Sequence, residues 1–102
     1  MKIYISGKIT GLKKVDYLKK FALAEKRLID QGHDVINPAR TNATLPENTS
    51  YQEYMDMSLL MLSFCDAIYM LNNWEASPGA KREKAEAEKN GMIVLYQEGR
   101  KC

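Results

Sequence analysis

Short apolar runs alternate along this chain with longer stretches in which apolar residues recur every three or four positions. The short runs predict four β-strands: Ile3–Ile5, Val35–Ile36, Asp66–Leu71 and Met92–Tyr96. The longer stretches predict three helices: Val15 to Ile29, Tyr51 to Phe64, and a last one opened by Ser77-Pro78 and closed by Asn90-Gly91. The polar segment 39–50, which contains Pro46, is predicted as a loop, and Gln97–Cys102 as a polar tail.

The order β-α-β-α-β-α-β predicts one α/β domain over residues 1–102. We expect a small doubly wound, flavodoxin- or Rossmann-like three-layer sandwich, with four parallel strands in the order 2-1-3-4. In such folds a ligand binds beyond the carboxyl ends of the strands, at the switch between strands 1 and 3. Three segments are expected there: Ser6 to Gly11, the loop at Asn37, and the loop from Asn72 to Gly79.

Composition excludes several classes of partner. The 102 residues are 45% apolar and 27% charged, with a net charge of +2, so neither a nucleic-acid polymer nor a membrane is expected as a partner. No signal peptide or long apolar run is evident, which favours a cytoplasmic location. Cys65 and Cys102 have no metal-ligand spacing, and we expect Cys65 to be a buried free thiol. Neither a metal nor a cofactor is expected.

The loop Ser6-Gly7-Lys8-Ile9-Thr10-Gly11 follows the first strand. Its two glycines let backbone amides approach a ligand closely. The spacing matches neither the dinucleotide fingerprint Gly-x-Gly-x-x-Gly nor a Walker loop. A tight turn without a ligand is therefore an equal alternative.

The start of the last helix is the second candidate. Beyond Ser77 it offers free N–H groups, which suit a phosphate or sugar hydroxyls. One turn further on, Glu83 shares a helix face with Ala80 and Ala87, the small residues expected to pack on the sheet. A carboxylate on that face is costly unless it is paired or used. A solvated glutamate on a charged helix stays the alternative.

Ser58 and Trp74 are weaker candidates. Ser58 falls on the apolar face of the middle helix, whereas Asp56 is expected to face solvent. Two alternatives stay open for Ser58: it points at the site, or it bonds back to its own helix. Trp74 follows the third strand and either stacks on a base or covers the core.

Five segments together resemble the small bacterial and phage proteins of the nucleoside 2-deoxyribosyltransferase-like family, from residue 1 to about residue 96. These segments are Met1–Gly7, Gly11, Gly32–Pro38, Cys65–Tyr69 and Trp74–Glu83. The pattern Ser-x-Gly-x-x-x-Glu, from Ser77 to Glu83, is also similar to the 2-deoxynucleoside 5-phosphate N-hydrolases.

The resemblance implies that Glu83 attacks the anomeric carbon of a deoxyribose and displaces the base. An acceptor base then completes transfer, or water completes hydrolysis. The resemblance and the position of the loops together give two sets of candidate residues. The catalytic ones are Glu83 and Ser58; those for a nucleoside or nucleotide are Tyr4, Ser6, Gly7, Gly11, Asn37, Trp74, Ser77 and Gly79.

One position departs from the relatives. They usually carry an aspartate on the middle helix where this chain has Ser58. Serine has no charge and cannot act as a general base in its place. Activity is therefore weak, or another residue serves, or the chain is a nucleotide-binding module without turnover. The chain also lacks the extra elements of full-sized transferases, so we expect a homo-oligomer whose neighbouring subunit completes the pocket.

Overall fold

A parallel sheet of four strands lies at the centre of the computed structural model, which describes residues 1–97. The strands are β1 (Lys2–Ser6), β2 (Asp34–Ile36), β3 (Ala67–Met70) and β4 (Ile93–Tyr96). The helices are α1 (Lys14–Asp30), α2 (Pro38–Asn42), α3 (Tyr51–Ser63) and α4 (Pro78–Lys89), with a short 3-10 turn at Trp74–Ala76. The strand order β2-β1-β3-β4 confirms the predicted fold class.

The two central strands have different side chains on their two faces, because successive side chains of a strand point to opposite sides. Ile3 and Ile5 of β1 join one core cluster with Phe21 and Leu28 of α1. Tyr4 of β1 joins a second cluster, to which α3 and α4 contribute. The sheet is therefore covered on both faces, and the Tyr4 face is the one beneath α3 and α4.

The buried face of α1 differs from the prediction. Six apolar positions predict this helix: Val15, Leu18, Phe21, Ala22, Leu28 and Ile29. Leu18, Phe21 and Leu28 pack in or against the core, but Val15, Ala22 and Ile29 are exposed. The buried residues are Phe21, Ala24 and Leu28, which recur at spacings of three and four. Ala22 and Ile29 each lie one position, or about 100° of rotation, beyond a buried residue.

Two further predictions need correction, and a third is not tested. Segment 39–50 is not entirely loop, because Pro38–Asn42 forms α2; Asn37 caps this helix by accepting from the N–H groups of Ala39 and Arg40. Cys65 is half-buried rather than buried, and partial burial raises the pKa of its thiol to about 11. Part of the predicted polar tail, residues 98–102 with Cys102, lies outside the described residues.

The two short connections from α1 to β2 and from α4 to β4 each contain a glycine with positive φ. Gly32 (φ 93°) follows α1 and Gly91 (φ 72°) follows α4. In each case the next residue donates its N–H back to the helix, His33 to Leu28 and Met92 to Ala87, which is the Schellman arrangement.

Within residues 1–97, no helix is long and apolar enough to cross a membrane.

Gly7 packs its Cα against the side chain of Leu71, at the end of the neighbouring strand. A Cβ at Gly7 would lie 2.7 Å from Cδ1 and 2.9 Å from Cβ of Leu71. Real Cβ atoms do not approach other atoms so closely, so the strand ends would have to separate. The glycine is therefore explained by packing between strands.

We predict that Gly7→Ala destabilises the fold by about 1–3 kcal/mol, because it overpacks a buried contact. Gly79→Ala is the matched control, since its Cβ would stand 3.4 Å from the Met55 sulfur, at ordinary contact distance. That variant should stay within about 1 kcal/mol of the unchanged protein. Equilibrium urea unfolding measures both, and equal stability of the two variants would contradict the packing explanation.

Candidate functional site

The carboxylate of Glu83 is buried between α4 and β1 and accepts two hydrogen bonds. Tyr4 donates its phenolic O–H to one oxygen at 2.7 Å, and Ser6 donates its hydroxyl to the other at 2.5 Å. Only 7% of Glu83 is exposed. Tyr4 and Ser6 are two positions apart on β1 and so share a sheet face. The predicted helix face of Ala80, Glu83 and Ala87 is confirmed as the buried face of α4.

Burial dominates the electrostatics of this carboxylate. Burial raises the pKa of Glu83, and the hydroxyl groups of Ser6, Tyr4 and Ser58 oppose the rise. None of the ion pairs formed within residues 1–97 includes Glu83. Burial, followed by the negative charge of Glu83, raises the pKa of Tyr4 well above 10, so the phenol keeps its proton and remains a donor. The anion is therefore stabilised by neutral hydroxyl groups.

Ser58 stands on the buried face of α3, together with Met55 and Leu62. Only 4% of Ser58 is exposed, and its hydroxyl lowers the pKa values of both Glu83 and Tyr4. Ser58 thus points to the carboxylate. Asp56 is exposed, as predicted, and accepts a hydrogen bond from Gln52 on its own helix.

A cavity of about 480 Å³ opens beside Glu83, at the carboxyl end of β1. Its volume lies within the range of small-molecule sites. Five segments contribute its walls: the end of β1 with the following loop, the start of α1, α2, the first half of α3, and the start of α4. The lining residues are Tyr4, Ile5, Gly7, Lys8, Ile9, Thr10, Tyr17, Phe21, Pro38, Asn42, Tyr51, Tyr54, Met55, Ser58, Ser77, Pro78, Gly79, Ala80 and Glu83.

The cavity has one acidic group, one basic group and an aromatic wall. Glu83 is the only acid and Lys8 the only base among the lining residues. The aromatic rings are those of Tyr4 on β1, Tyr17 and Phe21 on α1, and Tyr51 and Tyr54 on α3. Asn42 adds a side-chain oxygen that is buried and has no hydrogen-bond partner within the described part of the chain. A planar ligand with a polar edge would match this wall.

The loop after β1 lies against the start of α4. The backbone N–H of Lys8 donates to Oδ1 of Asn73 at 3.0 Å, and Nζ of Lys8 donates to the carbonyl of Ala76 at 3.3 Å. Ser77 caps α4 by accepting from the N–H of Ala80. Pro78 has no N–H, which leaves Gly79 as the residue of this first turn whose amide can meet a ligand.

The structure brings most of the predicted site residues together. Six of them line the cavity: Tyr4, Gly7, Ser58, Ser77, Gly79 and Glu83. Ser6 does not line it but donates its hydroxyl to Glu83. Gly11, Asn37 and Trp74 are not among the lining residues, so this placement does not support contact with a ligand.

Each of these three residues has a structural task instead. Gly11 is exposed, with φ 88° in the turn from Ile9 to Leu12. Asn37 caps α2. Trp74 packs against the second core cluster, with Lys84 Nζ 5.3 Å above its ring, so of the two alternatives it covers the core.

Several lining residues were not singled out from the sequence. Lys8 lies inside the loop predicted after the first strand. Tyr51, Tyr54 and Met55 belong to the apolar positions of the predicted middle helix, and a sequence pattern does not distinguish apolar residues that line a cavity from those that fill a core. Asn42 was assigned to a loop. Asn37-Pro38, an N-cap residue followed by proline, was the available signal for the helix that carries it.

Within the described part of the chain, no group of three or more His, Cys, Asp or Glu residues could hold a metal ion. The fold and the cavity define a doubly wound α/β domain with a ligand-sized site at the switch between β1 and β3. The chain belongs to the family described as a domain of unknown function, DUF4406, which it matches over residues 1–96. No curated protein matches it.

The raised pKa of Glu83 predicts a pH-dependent stability cost. Above its ordinary value of 4.5, the unfolded chain releases this proton more readily than the native chain does. The native state then binds more protons, so stability falls as pH rises from 4.5 towards the native pKa. Glu83→Gln removes the titration, and its unfolding free energy relative to the unchanged protein should grow over that interval.

Urea unfolding at several pH values between 4 and 8 measures this stability difference. It amounts to about 1.4 kcal/mol for each unit by which the native pKa of Glu83 exceeds the unfolded one. Glu86→Gln, on the same helix but outside the cavity lining, is the control. A constant difference between Glu83→Gln and the unchanged protein at all pH values would contradict the prediction.

Proposed function

We propose that this domain cleaves or transfers at the N-glycosidic bond of a 2-deoxynucleoside or its 5-monophosphate, with Glu83 as nucleophile. The observation that supports this most is the placement of Glu83: a buried carboxylate at a cavity wall, oriented by two hydroxyl donors and without a cation partner among the described residues. An ionised carboxylate has about four lone-pair sites. Two donors occupy two of them, so further lone pairs remain for attack.

The proposed reaction has two displacements. A Glu83 oxygen forms a bond to the anomeric carbon while the bond from that carbon to the base breaks. The bonding pair leaves with the base nitrogen, which takes up a proton from water. Water or a second base then attacks the same carbon and gives up a proton to the solvent, and the bond from that carbon to the carboxylate breaks. Tyr4 and Ser6 hold the two oxygens in place, which reduces the cost of orienting the nucleophile.

The rest of the cavity supports a nucleoside as ligand. The aromatic wall offers faces for a base to stack on, and Asn42 offers an acceptor and two donors for its edge. Lys8 and the amide of Gly79 stand at the start of α4, where a 5-phosphate or a sugar hydroxyl could bind. A cytoplasmic location and a homo-oligomer stay predictions.

A nucleotide-binding module is the second candidate function, and one observation favours it. Glu83 is the only acid among the lining residues, since Ser58 replaces the aspartate of the relatives. Without a second carboxylate, the cavity could bind a nucleotide and leave it intact. A sensor or sequestering protein would use the same cavity walls to bind the nucleotide but would not need Glu83 as a nucleophile.

Incubation with the four 2-deoxynucleosides and their 5-monophosphates, followed by chromatography for free base, separates the two functions. If the domain is an enzyme, free base should be released. Glu83→Gln should then reduce the rate of release by about 10³-fold or more, because the nucleophile is lost. Glu86→Gln is the control and should retain the rate. A glycosyl adduct on Glu83, seen by mass spectrometry after rapid acid quenching, would support the covalent intermediate.

Saturable binding without base release, unchanged in Glu83→Gln, would support the binding module and contradict the enzyme. If none of the eight compounds raises the melting temperature or releases a base, both functions fail.

We predict that Asn42→Ala weakens binding of 2-deoxynucleoside 5-monophosphates about 5- to 30-fold, as expected for one or two lost hydrogen bonds. Binding of 2-deoxyribose 5-phosphate, which has no base, should change little. Isothermal titration of both compounds makes the comparison. An equal loss for the two would show that Asn42 does not contact the base.

A further inference from the structure

Glu25 of α1 lies outside the cavity but is connected to one of its walls. Its side chain is only 13% exposed and is not among the lining residues. Oε1 of Glu25 accepts from Nδ2 of Asn37 at 3.0 Å and from Nη2 of Arg40 at 2.5 Å. One carboxylate oxygen thus joins α1 to the residue that caps α2 and to a residue within α2.

Asn37 transmits this contact to the backbone of α2. Its amide nitrogen donates to Glu25, while its Oδ1 accepts from the N–H groups of Ala39 at 3.1 Å and Arg40 at 3.4 Å. Both ends of one buried side-chain amide are therefore engaged. If Glu25 is removed, the Asn37 amide keeps its bonds to the backbone of α2 but loses the bond that ties this cap to α1.

α2 needs such support because it is short. It has five residues, far fewer than an isolated helix needs to persist in water. Its first and last residues, Pro38 and Asn42, both line the cavity. A shift of α2 therefore moves the wall that carries the unpartnered oxygen of Asn42.

We infer that Glu25 is a positioning residue that holds α2 against the cavity through Asn37 and Arg40, and thereby sets the affinity of the site for its ligand. The choice of ligand rests on the proposed function. The support that Glu25 gives to α2 is independent of that function, because it can be measured in the ligand-free protein. Glu25 touches no ligand, so it changes the fraction of molecules whose cavity is ready to bind.

Three variants test the inference. Glu25→Ala removes the acceptor for both donors. Glu25→Gln keeps an acceptor for Asn37 but loses the charge that Arg40 meets. Asp30→Ala is the control, because Asp30 pairs with Lys26 on the exposed side of the same helix.

Hydrogen exchange of the backbone amides of Ala39 and Arg40 reports on α2 in the ligand-free protein. Exchange should be about tenfold faster in Glu25→Ala, close to unchanged in Glu25→Gln, and unchanged in Asp30→Ala. Equal exchange in Glu25→Ala and the unchanged protein would overturn the inference.

Isothermal titration with deoxyadenosine 5-monophosphate and the other three 2-deoxynucleoside 5-monophosphates reports on the site. The Kd should rise about tenfold in Glu25→Ala, as expected if α2 is in place in a tenth of the molecules. In an Asn42→Ala background the same change should have a smaller effect, because both act through one wall.

Faster exchange in Glu25→Ala with an unchanged Kd would show that α2 does not set the affinity of the site. That result would overturn the part of the inference that concerns ligand binding. A lower melting temperature alone would indicate a merely structural role. If no nucleotide binds the unchanged protein, the proposed function fails, while the exchange rates still decide whether Glu25 supports α2.

Discussion

The hydrogen bonds from Tyr4 and Ser6 to Glu83 connect the first strand to the last helix, across 79 and 77 residues of sequence. A buried carboxylate without a cation is stable only when its oxygens are satisfied by hydrogen bonds. The strand therefore has to present two hydroxyl groups on the face that α4 covers, and α4 has to approach closely enough to meet them. Small residues at Ala80 and Ala87 permit that approach. The position of one acid thus constrains the register of a strand and the docking of a helix.

The same constraint determines where the cavity lies. Ser6 is the last residue of β1, so the carboxylate stands at the strand end, where the sheet stops and the loops diverge. At that end of the sheet the first turns of α3 contribute Tyr51, Tyr54 and the buried Met55 to the cavity lining. Residues of one apolar stripe therefore have two roles, packing at one end of the helix and lining a cavity at the other.

The alternation of strands and helices along the sequence predicted the strand order, and helical spacing predicted the faces of Ser58 and Glu83. Neither predicted that Tyr4 is a donor to Glu83, since this requires knowing which sheet face α4 covers. Helical spacing placed the stripe of α1 correctly at Phe21 and Leu28 but extended it too far, because Val15 and Ile29 are apolar although both are exposed. It also missed α2, whose five residues are too few to show a helical period. Asn42 and the support from Glu25 follow from that helix and were missed with it.

The donors around Glu83 limit the chemistry that the site can perform. Glu83 is the only acid in the cavity lining, so a departing base cannot receive its proton from a second carboxylate. Tyr4, with a pKa well above 10, is a weak acid, and the hydroxyl of Ser58 is weaker still. The ammonium of Lys8 is engaged with the carbonyl of Ala76. In the proposed reaction a base would therefore leave as an anion or take its proton from water. Such a site would favour bases that stabilise negative charge and would work slowly on the others. Dependence of the rate on the acidity of the leaving base is thus the property that distinguishes this arrangement from one with paired carboxylates.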